Sequence, residues 1–421
     1  MRQLVTVRKI ILLWFAWVTI MLSYQTLVAA RYSAEKPDHV LFWTAEATHQ
    51  RTLQQNPYFA QSVFKTQAAW DSEYYLSIAL KGYNDPQIRT IPPEPNAKPP
   101  FDRPISVNYA FFPVYPHLIR FIATPLIYAG LAPIDAATFA GVFISITGTL
   151  AGMLALFDWV QSSWGKAAGM RAVSYLTIFP TSFFLAQVYT EGLFIGFTFS
   201  CLALIARRRL LWASGLATIA TLTRAAGVLL VIPLAWAVWQ TYWADRSENR
   251  HSGKRANWGR QAIGFGAILL APILTHLIWR FSFFGGAFKR VEKHYFQCEF
   301  LAIDRAVSAW SQAFLSLFGD NPQAQAYYAI EFGVIGLGIA SCLLTARRYP
   351  GISLFGLGLI FISMTCGLSW SMSRYLLTVP SVFLVLSHWG KNELFDRIWT
   401  MTSVLLMGLL ASLFTFHLWA G

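Results

Sequence analysis

Charge is what this sequence has least of. Asp, Glu, Lys and Arg make up 13% of its 421 residues, about half the share found in a soluble globular domain. With 55% hydrophobic residues beside them, that scarcity excludes a water-soluble enzyme or binding domain. Cysteine is scarce too. Cys201, Cys342 and Cys366 fall inside apolar runs and Cys298 in a loop, a spacing that offers neither a disulfide framework nor a thiolate metal centre. A paired-aspartate nucleotide-sugar motif and a His/Cys ligand spacing are both lacking. No cofactor is therefore expected, and a divalent metal is left open. Internal repeats, which many transporters carry, are missing as well.

What charge there is leans basic: 33 Lys and Arg against 20 Asp and Glu, a net +13. In an apolar chain this points to cytoplasmic loops and anionic head groups, and no nucleic-acid partner is expected. Apolar runs of membrane-spanning length recur, near 10–30, 135–158, 168–187, 189–206, 210–224, 226–243, 261–281, 327–346, 352–369, 374–389 and 398–419. The first follows Arg2, Arg8 and Lys9 and is long for a signal-peptide core, so it reads as an uncleaved span. Lys166 with Arg171, Arg207 to Arg209, the basic 244–260 loop, Arg347-Arg348 and Lys391 with Arg397 fall on one side if each run crosses once. That side is the cytoplasm. Parity then requires the 112–130 stretch, with its prolines and Arg120, to be interfacial or re-entrant.

The predicted fold is all-α, a polytopic membrane helix bundle of about eleven transmembrane helices. It forms a single integral membrane domain over 1–421, with a large first extracytoplasmic loop at 31–108 carrying short interfacial helices and a second at 282–326. The membrane is the plasma membrane in a prokaryote or the endoplasmic reticulum in a eukaryote. In the first loop, Trp70, Tyr74 and Ile78 recur every four residues, with Asp71 at the start and Gly82 at the end. This predicts a short amphipathic helix lying flat at the membrane surface. Asp71 is either its N-cap or a carboxylate held at the water–lipid boundary. The other unusual polar residues gather on the same face: Glu73, Tyr189 with Glu191, Arg224, and Arg374-Tyr375. Glu191 and Arg224 either pair with each other or face a cavity. A carboxylate near guanidinium groups suits one reaction. The carboxylate takes a proton from an attacking hydroxyl, and arginines stabilise a departing lipid phosphate.

The same residues resemble the PIG-V mannosyltransferase family, of the GT-C class of polytopic glycosyltransferases. The matching pieces are Trp70-Asp71 through Gly82-Tyr83, Phe111 through Arg120, Pro180 through Glu191, Leu222 through Gly227, and Ser373-Arg374-Tyr375 before Pro380. The resemblance implies a GT-C fold and inverting transfer of mannose, or a similar hexose, from a polyprenyl- or dolichyl-phosphate donor. The acceptor is then a lipid or cell-envelope hydroxyl at the outer face, or the glycosylphosphatidylinositol precursor. It makes Asp71 the catalytic acidic residue of the first loop. Trp70, Glu73, Tyr74, Tyr115, Tyr189, Glu191, Arg224, Arg374 and Tyr375 are then the substrate-binding candidates. The chain departs from the family in having Ala225-Ala226 and Gly192 where Ser-Asn and Ser are common. A lipid or sugar carrier is the expectation from a different class.

Overall fold

Proline, asparagine and glycine mark where the helices begin and end. The structure, a computed structural model, describes residues 2–59, 64–252 and 258–421; residues 253–257 of the basic 244–260 loop lie outside them. In chain order the helices are α1 (Arg2–Arg31), α2 (Thr44–Ala47), α3 (Gln50–Gln54), α4 (Ser72–Lys81), α5 (Val114–Tyr128), α6 (Pro133–Trp164) and α7 (Lys166–Ile178). There follow α8 (Glu191–Ala206), α9 (Leu210–Thr221), α10 (Val231–Ser252), α11 (Trp258–Phe281), α12 (Phe283–His294) and α13 (Ile303–Ser316). The last are α14 (Pro322–Thr345), α15 (Pro350–Met364), α16 (Met372–Tyr375), α17 (Pro380–Trp389) and α18 (Glu393–Thr415). Pro133, Pro322, Pro350 and Pro380 stand in the first turn of their helices, where a missing N–H costs nothing. Asn321 and Asn392 cap α14 and α18 through their side chains, and Gly165 closes α6 with φ +85°. The only sheet among the described residues is a two-strand antiparallel ladder, β1 (Thr90–Ile91) with β2 (Ile105–Ser106). The proline-rich piece lies between its strands.

Among the described residues, six helices or helical stretches are long and apolar enough to cross a membrane: Val5–Arg31, Pro133–Trp164, Ala225–Ala244, Ile263–Phe281, Pro322–Thr345 and Glu393–Thr415. The Ile263–Phe281 segment buries only 6% of its apolar window inside the protein. Ile263, Ile278 and Phe281 project outward, as they would toward lipid rather than water. The stretches 191–206, 210–221 and 350–364 are apolar but shorter. Two of the eleven expected runs are not continuous helices. The 168–187 run stops at Ile178, because Pro180 forces Phe179 to an extended ψ of 143°; a 3₁₀ turn at Ser182–Ala186 follows. The 374–389 run is broken the same way before Pro380, with Val379 at ψ 98°.

Packing centres on α6, which lies against α5, α7 and α8. The α6–α8 contact is close because glycines face each other: a Cβ on Gly148 would come 2.6 Å from the Gly192 carbonyl oxygen, and one on Gly192 would overlap the Ser145 carbonyl. A second core joins the first loop to α5 and α6 through Tyr74, Tyr75, Tyr115, Ile119 and Val188. The α4 helix is therefore not an interfacial helix with a lipid-facing stripe. Its residues from Tyr74 to Ala79 are buried in protein. Gly82 ends it at φ +91°, and Arg120 on α5 reaches back to bond the Ala79 and Ile78 carbonyls at 2.6 and 2.9 Å. Buried amides anchor α1 to the same region: Gln25 donates to the Thr66 carbonyl at 3.1 Å and accepts from Gln187 at 2.9 Å. The 282–326 loop folds into α12 and α13.

Candidate active site

Asp71 occupies the N-cap position of α4, yet its side chain makes no capping bond. Its Oδ2 instead accepts from Arg374 Nη1 at 3.0 Å. The turn that aims it is constrained. Trp70 sits in the left-handed region at φ +53°, a conformation that costs a non-glycine residue about 1–3 kcal/mol. Ser72 Oγ donates to the Val188 carbonyl and accepts from the Ala69 N–H, both at 3.1 Å. The Asp71 N–H donates to the Tyr189 hydroxyl at 3.2 Å.

Arg374 is shared. While Nη1 holds Asp71, its Nε lies 3.2 Å from Glu191 Oε1. The same oxygen pairs with Arg224 Nη1 at 2.8 Å. Two carboxylates and two guanidinium groups thus form one chain of ion pairs, Asp71–Arg374–Glu191–Arg224. Glu191 opens α8, where the positive end of the helix dipole favours an acid. It is buried, and its second oxygen, Oε2, has no protein partner. Aromatic faces flank the cations: Arg374 lies over Phe184, Tyr189 and Tyr375, and Arg224 over Tyr375 and Phe194, all at 5.1–5.7 Å. Asp71 keeps 27% of its side chain exposed while Arg374 keeps 8%. The cluster is therefore open on the Asp71 side.

The remaining sequence candidates divide. Tyr375 belongs to the cluster, with its hydroxyl 3.5 Å from Arg374 Nη2. Trp70 packs edge-on against Trp43 and Trp419 and donates to the Leu418 carbonyl at 3.2 Å. Tyr74 stacks on Phe111 and meets the Tyr295 hydroxyl at 3.3 Å. Tyr115 lines nothing: it is fully buried, bonding the Gly141 carbonyl at 3.0 Å and Ser145 at 2.9 Å. Glu73 points the other way along α4, toward Asn56 and Arg89, and burial pushes its carboxyl up.

Two acids were not among the candidates. Glu331, buried on α14, accepts from the Met372 N–H at 2.7 Å, the Ser373 N–H at 3.3 Å and the Ser373 hydroxyl at 2.6 Å. It holds the turn that presents Arg374, and Tyr327 bonds the neighbouring Ser371 N–H at 3.0 Å. A lone acid inside an apolar run was the available signal. Glu292 on α12 lies within electrostatic reach of Asp71; burial, then the Cys366 sulfur, pushes its carboxyl up to about 8. Among the described residues no three His, Cys, Asp or Glu side chains are grouped to hold a metal ion.

No family model and no curated protein matches the chain. Solved structures of archaeal oligosaccharyltransferases do. One is the Archaeoglobus fulgidus enzyme in complex with zinc and sulfate, at 14% identity and a TM-score of 0.46, covering 96% of this chain and 53% of that one. Another is AglB from the same organism with an inhibitory peptide and a dolichol-phosphate, at 13% identity and a TM-score of 0.44, covering 94% and 56%. The chain spans about half the length of these structures.

Proposed function

We propose that this protein is a membrane glycosyltransferase. It moves a mannose or similar hexose from a polyprenyl- or dolichyl-phosphate sugar to a lipid or cell-envelope hydroxyl at the extracytoplasmic face, as the PIG-V resemblance implies. The observation that carries the reading is that Asp71 stands where a helix cap belongs but turns to Arg374 instead. In this role Asp71 takes the proton of the attacking hydroxyl as that oxygen displaces the phosphate from the anomeric carbon, with inversion. Arg374 and Arg224 receive the departing phosphate through charge-assisted bonds. The free Oε2 of Glu191 offers an acceptor for a substrate hydroxyl.

Space for the lipid supports the same reading. An apolar groove of about 720 Å³ lies between α13, α14 and α15, lined by Val307, Trp310, Ile339, Leu357, Phe361 and Met364. Met364 ends α15 and begins the connection that leads to Arg374.

The broken helices favour a second reading. Beside the interruption at Pro180, Thr181 Oγ1 donates to the carbonyl of Ser373 on α16 at 2.8 Å, and discontinuous helices mark many carriers. One experiment separates the two. Purified protein in proteoliposomes receives radiolabelled polyprenyl-phosphate mannose and a membrane-lipid extract. A new glycosylated product, absent with Asp71→Asn, supports the enzyme. Movement of labelled lipid between leaflets with no bond formed supports the carrier and overturns the transferase.

A further inference from the structure

Two cysteines that are far apart in sequence meet beside the candidate site. Cys298 lies in the connection between α12 and α13, and Cys366 in the connection between α15 and α16. The Glu299 N–H donates to the Cys366 carbonyl at 2.8 Å, and the Cys298 N–H to the Glu292 carbonyl at 2.8 Å. Each thiol lies within electrostatic reach of the other. Both are half-buried free thiols. The turns around them interlock. Gln297 and Leu301 adopt left-handed conformations at φ +57°, as does Gly367 at φ +98°. A Cβ on Gly367 would lie 3.4 Å from the Gln297 carbonyl oxygen and 3.6 Å from Ala302.

We infer that Cys298 and Cys366 are joined as a disulfide in the working protein, fastening the α12–α13 connection to the segment that carries Arg374. The inference rests on the extracytoplasmic placement proposed above, because that compartment permits disulfides to persist and the cytosol does not. The backbone bond between Glu299 and Cys366 holds the two connections side by side at these cysteines. Cys366 is the attacking sulfur. The neighbouring Cys298 thiol holds it below the usual thiol range. The oxidant is a disulfide of the thiol–disulfide oxidoreductase class. The Cys366 thiolate attacks that disulfide and releases one of its sulfurs as a thiol. The Cys298 thiolate then attacks Cys366 in the mixed disulfide and releases the second. Two S–H bonds break, one S–S bond forms, and two electrons and two protons pass to the oxidant.

Full-length protein from its native membranes is denatured without reductant in N-ethylmaleimide, and its intact mass is measured. The expected result is two adducts, on Cys201 and Cys342, rising to four after reduction, with a digest showing a peptide that links 298 to 366. Cys298→Ser then takes three adducts with or without reductant. Four adducts before reduction, or a linkage through any other cysteine, overturns the proposal. These readouts do not involve sugar transfer. A linked protein without transferase activity would count against the function proposed above, and an active one with four free thiols only against the bridge.

Discussion

Asp71→Asn changes one charge at the site and almost nothing in shape. As a base, Asp71 is worth about 10²- to 10⁴-fold in rate, or roughly 3–5 kcal/mol of barrier. The cost to the fold is far smaller. Arg374 keeps Glu191 at 3.2 Å, and an asparagine oxygen at position 71 still accepts from Nη1. The loss is the difference between a charged and a neutral hydrogen bond, about 1 kcal/mol, so melting falls by no more than about 4 °C. The assay pairs initial rates of mannose transfer from polyprenyl-phosphate mannose with unfolding followed by tryptophan fluorescence. The expected outcome is a rate loss of at least about 100-fold with a nearly unchanged melt. A rate within a few-fold of wild type refutes the role of Asp71. Rate and melt collapsing together refutes the claim that the pair is dispensable to the fold.

Other outcomes follow from neighbouring contacts. Glu331→Ala leaves the Met372 and Ser373 donors unpaired in a buried turn, at about 1–3 kcal/mol for each, and lowers both melting temperature and transfer. Glu331→Gln restores most of the melt. Arg374→Lys keeps a charge but cannot bridge Asp71 and Glu191 at once; kcat falls at least about tenfold, by the loss of one charge-assisted bond. Gly192→Ser forces α6 and α8 apart at Ser145 and destabilises the detergent-solubilised protein, read by its melt. With Cys298 and Cys366 reduced, burial and then the Cys366 sulfur push the Glu292 carboxyl up to about 8, above the usual carboxylate range. It therefore binds a proton in the folded protein where the unfolded chain has lost it. Its stabilising contribution is complete at acid pH below that range and is lost as pH rises toward 8. Melts between pH 5 and 8.5 should decline with pH, and Glu292→Gln should flatten the decline.

The charged cluster was legible because charge is rare here. Glu191, Arg224 and Arg374 stand at the ends of apolar runs, where such residues need partners, and Asp71 heads the helical pattern of the first loop. Which way a ring points was not legible. Tyr115 lies within a family-like stretch, but its helix turns it into the α6 contact. Glu331 was lost inside an apolar average, although a single acid in such a run is itself a signal. Pro180 and Pro380 were visible, yet hydropathy carried the predicted spans straight across them. The amphipathic pattern of α4 was real, but periodicity does not say whether the apolar face meets lipid or protein. The meeting of Cys298 with Cys366 depends on tertiary packing alone.

The four-charge chain sums to zero, and this has a consequence for timing. Each guanidinium already has a carboxylate, so an arriving phosphate has to compete for Arg374. Under the proposed function, a donor phosphate that takes Nη1 would set free the Asp71 oxygen it holds. Until then the Asp71 carboxylate would stay paired with Arg374, and the proposed base would be tied to the arrival of its donor.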